Sequence, residues 1–183
     1  QKRRLIDIIK SLTSVEENIE IIIASLRAIS ICIWRNLDPP VDLIKTLISY
    51  YDRIQDDDTK IMFLDTLLLV YSNIPESAGP IIEFAAGIIN VEKGNMDVLW
   101  KLQEMLSTIA ISEVNVSNLQ LLAKKILDLM KLPERELRVS IRVILLENII
   151  LSIAKREPRI ILSLADDLIA TYNQSPGVSI FDG

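Results

Sequence analysis

The chain has 183 residues, half of them hydrophobic, with 20 basic against 25 acidic residues and a net charge of −5. It has no His and one Cys, which excludes a Ser-His-Asp or Cys-His catalytic arrangement, an imidazole metal site, an intramolecular disulfide and a thiolate zinc site. Five Gly are too few for a β protein built on glycine turns or for a glycine-rich cofactor loop, and the apolar content is too high for a disordered chain.

Breaks fall at regular intervals, at Asp38-Pro39-Pro40, Asp56-Asp57-Asp58, Pro75 to Pro80, Lys93-Gly94-Asn95, Glu113 to Ser117, Pro133 and Glu157-Pro158. The apolar spacing between them predicts helices near 2–12, 14–35, 40–55, 58–73, 79–92, 95–110, 116–131, 134–155 and 158–173. Pro40, Pro80 and Pro158 suit first-turn positions, and Thr13 with Glu16 forms a capping box. Cys32 sits in Ile31-Cys32-Ile33 and reads as a small buried hydrophobe. Asn173-Gln174-Ser175-Pro176-Gly177 is turn chemistry that opens a tail, 174–183. The apolar tail residues Val178, Ile180 and Phe181 either fold back or dock on another molecule.

Mean hydropathy is +0.33, yet no run of about 18 residues is free of charge, so no membrane-spanning helix is expected. Lys2-Arg3-Arg4 is followed by Asp7 and Lys10 rather than by an unbroken apolar stretch, so no signal peptide is expected. The chain does not open on Met and reads as a trimmed chain or a fragment, and a cytoplasmic location is expected.

One pattern recurs at a fixed period. Asp58-Thr59-Lys60, Asp97-Val98-Leu99 and Glu136-Leu137-Arg138 lie 39 residues apart. Phe63, Leu102 and Ile141 follow five residues after each acid, and Leu67, Leu106 and Leu145 follow nine after. An earlier copy, Glu17 with Ile22 and Leu26, fits with two extra residues. At these residues the chain resembles the HEAT and armadillo families of helix-pair repeats, whose second helix commonly opens on an Asp-Val-Arg pattern. The resemblance covers about residues 14–173. It implies an all-α fold, a short right-handed α-solenoid of about four antiparallel helix pairs. The pairs fall near 1–36, 40–73, 79–110 and 116–155, with a capping helix at 158–173, all in a single domain over 1–173. It further implies a polar ladder between repeats from Asp58, Lys60, Asp97, Glu136 and Arg138, with a gap at Leu99.

Such a fold serves binding rather than chemistry, and the charge distribution suggests where. Residues 13–123 carry 7 basic and 16 acidic side chains, whereas residues 124–159 carry 9 and 5. A basic patch of Lys124, Lys125, Arg135, Arg138, Arg142, Lys155 and Arg156 would take an acidic partner segment. Arg138 and Arg142, one turn apart, suit a carboxylate or phosphate. The same residues also fit a solvated face paired to Glu134, Glu136 and Glu147.

Trp100 beside Lys101 either anchors a partner peptide or packs in the core, as its 39-residue equivalents Ile61 and Val139 suggest. Asp56-Asp57-Asp58 lacks the spacing of a calcium loop and fits helix capping. Asp166 and Asp167 are placed mid-helix on different sides, which disfavours a carboxylate pair. The expectation is therefore a non-enzymatic interaction module or scaffold, without cofactor or metal. Its partner would be another protein offering an acidic or helical segment. The alternative is nucleic acid on the basic fourth repeat, which the net charge of −5 disfavours.

Overall fold

The computed structural model describes residues 41–132 and 137–174, with isolated helical positions at 7, 21, 23, 24, 27 and 28. Every regular element among these residues is helical. The expected helix at 2–12, most of 14–35, the capping box, Pro40, Cys32, Arg135, Glu136 and the tail from Ser175 lie outside the described residues. The chain divides into two compact units, residues 1–84 and 85–183, and the division falls inside a helix.

In the first unit α1 (Val41–Ile48) is followed by a 3-10 turn, Tyr51–Arg53, in place of the continuous helix expected over 40–55. α2 (Asp57–Asn73) starts where Asp56, in extended geometry, accepts the Thr59 N–H at 2.8 Å. That bond satisfies one of the amide donors a helix N-terminus leaves open, and Asp57 and Asp58 then favour the positive end of the helix dipole. The expectation that the Asp triplet caps a helix therefore holds at Asp56.

The buried positions of α2 are Phe63, Leu64, Thr66, Leu67, Val70 and Tyr71, one helical stripe at spacings of three and four. Tyr51, Phe63 and Phe84 form an aromatic cluster with ring centroids 5.1 to 6.2 Å apart in tilted and edge-on arrangements, the geometry that aromatic quadrupoles favour. A 3-10 turn, Pro75–Ser77, leads into α3 (Ala78–Ile89), where Pro80 is in the first turn as expected.

In the second unit α4 (Met96–Ser112) starts from Asn95, whose Oδ1 accepts the Val98 N–H at 3.2 Å. α2 and α4 each have 17 residues, and their bounds and their capping residues are each 39 positions apart. Their buried positions agree in the same register, with Phe63, Leu67 and Val70 matched by Leu102, Leu106 and Ile109. α5 (Val116–Met130) is capped by Asn115 and buries Leu119, Leu122, Ala123, Ile126 and Leu127.

The next helix starts at Val139 rather than at 134. Leu137 is fully buried, and the non-helical Arg138 takes the Ile141 and Arg142 amides on its carbonyl. It is also not uniform: α6 (Val139–Leu145) passes through a π turn, Leu146–Ile150, into α7 (Leu151–Arg156). The expected last helix is two pieces, α8 (Pro158–Ser163) and α9 (Ala165–Gln174), because Leu164 leaves helical geometry and donates back to the Ile161 and Leu162 carbonyls. Asp166 and Asp167 consequently stand in the first turn of α9 and not mid-helix. Within this unit α4 packs on α5, on the π turn and on α7. α5 packs in turn on α6, α8 and α9.

Candidate protein-binding surface

The residues singled out from the sequence meet different fates, and for Arg142 and Arg156 the cause is a helix end that lies nearby. Arg156 closes α7, and its guanidinium reaches the far end of α4. Nη1 donates to the Ala110 carbonyl at 2.8 Å and Nη2 to the Glu113 carbonyl at 2.9 Å. The last carbonyls of a helix have no intrahelical donor and carry its partial negative charge, so a two-armed cation is well matched to them.

Arg142 serves the end of α5 in the same manner, with Nη1 donating to the Met130 carbonyl at 3.4 Å. Its Nε is buried and has no hydrogen-bond partner among the described residues. Two members of the expected basic patch are thus engaged on helix ends, Arg142 half-buried and Arg156 still exposed. Arg138 and Lys155 are exposed, and Arg135 lies outside the described residues. Lys131, outside that patch, pairs with Asp167 at 2.9 Å. Its ammonium pKa is raised, first by the hydrogen bond to Asp167 and then by the charges of Asp167 and Asp128.

Trp100 and Lys101 occupy the first half of α4 on diverging sides. Lys101 holds Glu104 at 2.8 Å across one turn. Trp100 is 51% exposed and Met96, one turn earlier on the same helix, is 42% exposed. Both stand at the mouth of a shallow recess whose apolar walls are Ile89, Leu99, Ile141, Ile144 and Leu145, with Gln103 as a polar member. A face that joins a half-exposed Trp, an exposed Met and an apolar recess is suited to receiving an apolar side chain from elsewhere. Sequence reasoning missed Met96. It stands at the first helical position, and it would have been found by asking which apolar residues share a stripe with Trp100.

Among the described residues no group of three or more His, Cys, Asp or Glu is placed to hold a metal ion. No helix among them is long and apolar enough to cross a membrane. No protein-family model, curated protein or solved structure matches the chain.

Proposed function

We propose that this chain is a non-enzymatic protein-binding module, a short α-solenoid of helix pairs that presents helix faces to another protein in the cytoplasm. One observation carries the reading: Trp100, half exposed, stands with Met96 over the apolar recess between α4 and α6. Burying a Trp is among the larger single contributions to core packing, and interfaces concentrate their binding energy in the same residue.

The repeat component of the proposal rests on the 39-residue agreement of α2 and α4 in length, cap and buried stripe. It rests also on the neighbours in the second unit, where α4 touches α7 and α5 touches α8 and α9. Stacked helix pairs bury their faces in this manner, each helix against its counterpart in the next pair. Nucleic acid has the weaker claim, because Arg142 and Arg156 are engaged on helix ends and the net charge is −5.

The test is affinity capture from source-cell lysate on the immobilised chain and on its Trp100→Ala variant, with and without nuclease, read by mass spectrometry. A protein partner that survives nuclease and is lost on Trp100→Ala is expected. Recovery of nothing but nuclease-sensitive material would sink the proposal and make Arg138→Glu the variant to examine by gel shift.

A further inference from the structure

We propose that one end of the second unit docks on an anionic lipid surface, a contact separate from the Trp100 recess and independent of it. Ile111, Val114 and Val116 enter the headgroup boundary there, and Lys155, Arg156 and Arg159 meet the headgroup charges.

One side chain brings the two sets together. α4 runs toward this end and α5 leaves it, just as α7 runs toward it and α8 leaves it. The Arg156 guanidinium joins the two junctions through the Ala110 and Glu113 carbonyls, at 2.8 and 2.9 Å. Ile111, Val114 and Val116 lie on either side of Glu113, and Lys155 and Arg159 lie on either side of Arg156.

The apolar set is unusually open. Ile111 is 61% exposed, Val114 82% and Val116 51%. A single exposed aliphatic residue needs no explanation, but three within six positions form a patch. The turn itself does not require them. Its local demands are met by Asn115, which caps α5 by accepting the Ser117 N–H at 2.9 Å.

The basic set is uncompensated. Lys155, Arg156 and Arg159 are all exposed, and none is in an ion pair among the described residues. Carbonyl partners leave the full charge of Arg156 in place. Two acids lie nearby in sequence. Glu113 is buried on Asn115 and Asn118, and Glu157 is half-buried. The net charge of −5 opposes an anionic surface, but screening at physiological salt acts over about 8 Å, so the local sign decides.

Shape favours lipid over a folded partner. A residue as exposed as Val114 projects from its turn instead of lining a cleft. A folded protein buries a projecting side chain only where it has a matching cavity, whereas a headgroup boundary yields around it. Apolar insertion together with basic charge is the pair of signals that reversible docking on an anionic leaflet uses.

The test is co-sedimentation of the full chain with vesicles of phosphatidylcholine alone or of equal parts phosphatidylcholine and phosphatidylserine, at physiological salt. Binding to the phosphatidylserine vesicles and much weaker binding to the neutral ones are expected. Ile111→Ser/Val114→Ser/Val116→Ser and Lys155→Gln/Arg159→Gln should each weaken binding about tenfold or more, with urea midpoints close to wild type. The second variant spares Arg156 and so leaves its helix-end bonds in place. Val91→Ser/Lys93→Gln makes the same kinds of change at the exposed turn before α4 and should leave binding within about twofold. Hydrogen-exchange protection by the vesicles should map to 111–118.

Failure to bind phosphatidylserine vesicles, equal binding to the neutral ones, or equal loss in the Val91→Ser/Lys93→Gln chain would overturn the lipid contact. So would protection confined to other residues. If vesicles are ignored and Lys155→Gln/Arg159→Gln instead loses a protein partner in lysate capture, this end serves an acidic protein segment and the lipid proposal is wrong. Trp100→Ala should bind vesicles like wild type. Loss there would place the contact at the recess and overturn the proposal, whereas failure of the lipid contact alone would leave the Trp100 reading standing.

Discussion

Arg156 spans from the end of α7 to the end of α4 and holds the Glu113 backbone carbonyl at 2.9 Å while its other arm holds Ala110. The Glu113 side chain is buried in the same place, where it accepts the Asn115 N–H at 2.8 Å and the Asn118 amide at 3.2 Å. One arginine therefore ties a helix C-terminus to the turn that leads into α5. Replacing Arg156 by Ala leaves two carbonyls without donors and should cost about 1–2 kcal/mol of stability, read from the urea midpoint. Arg156→Lys should recover only part of this, since one ammonium does not reproduce the fork. Lys155→Ala, at an exposed neighbouring position, should stay within about 0.5 kcal/mol. Equal midpoints for the two alanine variants would refute the capping role.

Asp56 provides a test in pH. Hydrogen bonds from Thr59, side chain first and backbone N–H second, hold its carboxyl below the ordinary aspartate range. A group whose pKa is depressed on folding stabilises the fold at pH values above its unfolded pKa, and that contribution fades as pH falls through the folded value. Asp56→Ala should therefore lower the urea midpoint at neutral pH, with the deficit against wild type shrinking in acid. Asp56→Asn should retain the cap without the titration, as Asn95 does at the equivalent place on α4. An Asp56→Ala deficit that stays constant down to strongly acidic pH would show that the charge of the cap contributes nothing.

The aromatic cluster sets the third expectation. Phe63 is fully buried against Tyr51 and Phe84, at centroid distances of 5.6 and 6.2 Å. Phe63→Ala should cost about 3–5 kcal/mol, the transfer term plus a cavity that two rings close incompletely. Leu102→Ala, at the matching position of α4, should cost about 2–5 kcal/mol. Both are measured by urea denaturation followed by far-UV circular dichroism. Costs below about 1 kcal/mol at either position would contradict the packing described.

How much of this was legible in the chain depends on what decides each feature. The start of α2 was legible because an Asp ahead of an apolar stripe has a local partner, the Thr59 amide. The 39-residue agreement of α2 and α4 was legible because burial repeats with the helical period. The division at 84 was not, since it falls inside the apolar α3 with no Pro or Gly at that point. Nor was the break at Leu164, where no Gly or Pro stands. The fates of Arg142 and Arg156 are decided by carbonyls 12 and 46 residues away, which no local pattern encodes. A stripe of arginines looks the same in sequence whether it faces solvent or closes a neighbouring helix. Trp100 had two readings for a related reason: apolar equivalents in the register fit a core position and a groove position equally well.

The π turn makes the sharpest claim about that register. Ile141 and Leu145 are buried 39 residues after Leu102 and Leu106, but from the second half of the turn onward the buried residues are Ile149, Ile150 and Ile153. They follow Ile109, Ala110 and Glu113, all buried, by 40. A π turn accommodates one residue more than an α turn, so the helix absorbs an insertion at Leu146–Ile150 and returns its apolar face to the core. Deleting the exposed Glu147 should convert the turn to regular α-helix and leave the Ile face where it is. The expected result is retained helicity and a urea midpoint within about 1 kcal/mol of wild type. Deleting Thr108 from α4, which has no such turn, should instead rotate Ile109 and Ala110 away from the core by about 100° and unfold the chain or destabilise it severely. If the two deletions proved equally damaging, the insertion account of the π turn would be wrong, and its unwinding would have to come from packing against α4 and α5 instead.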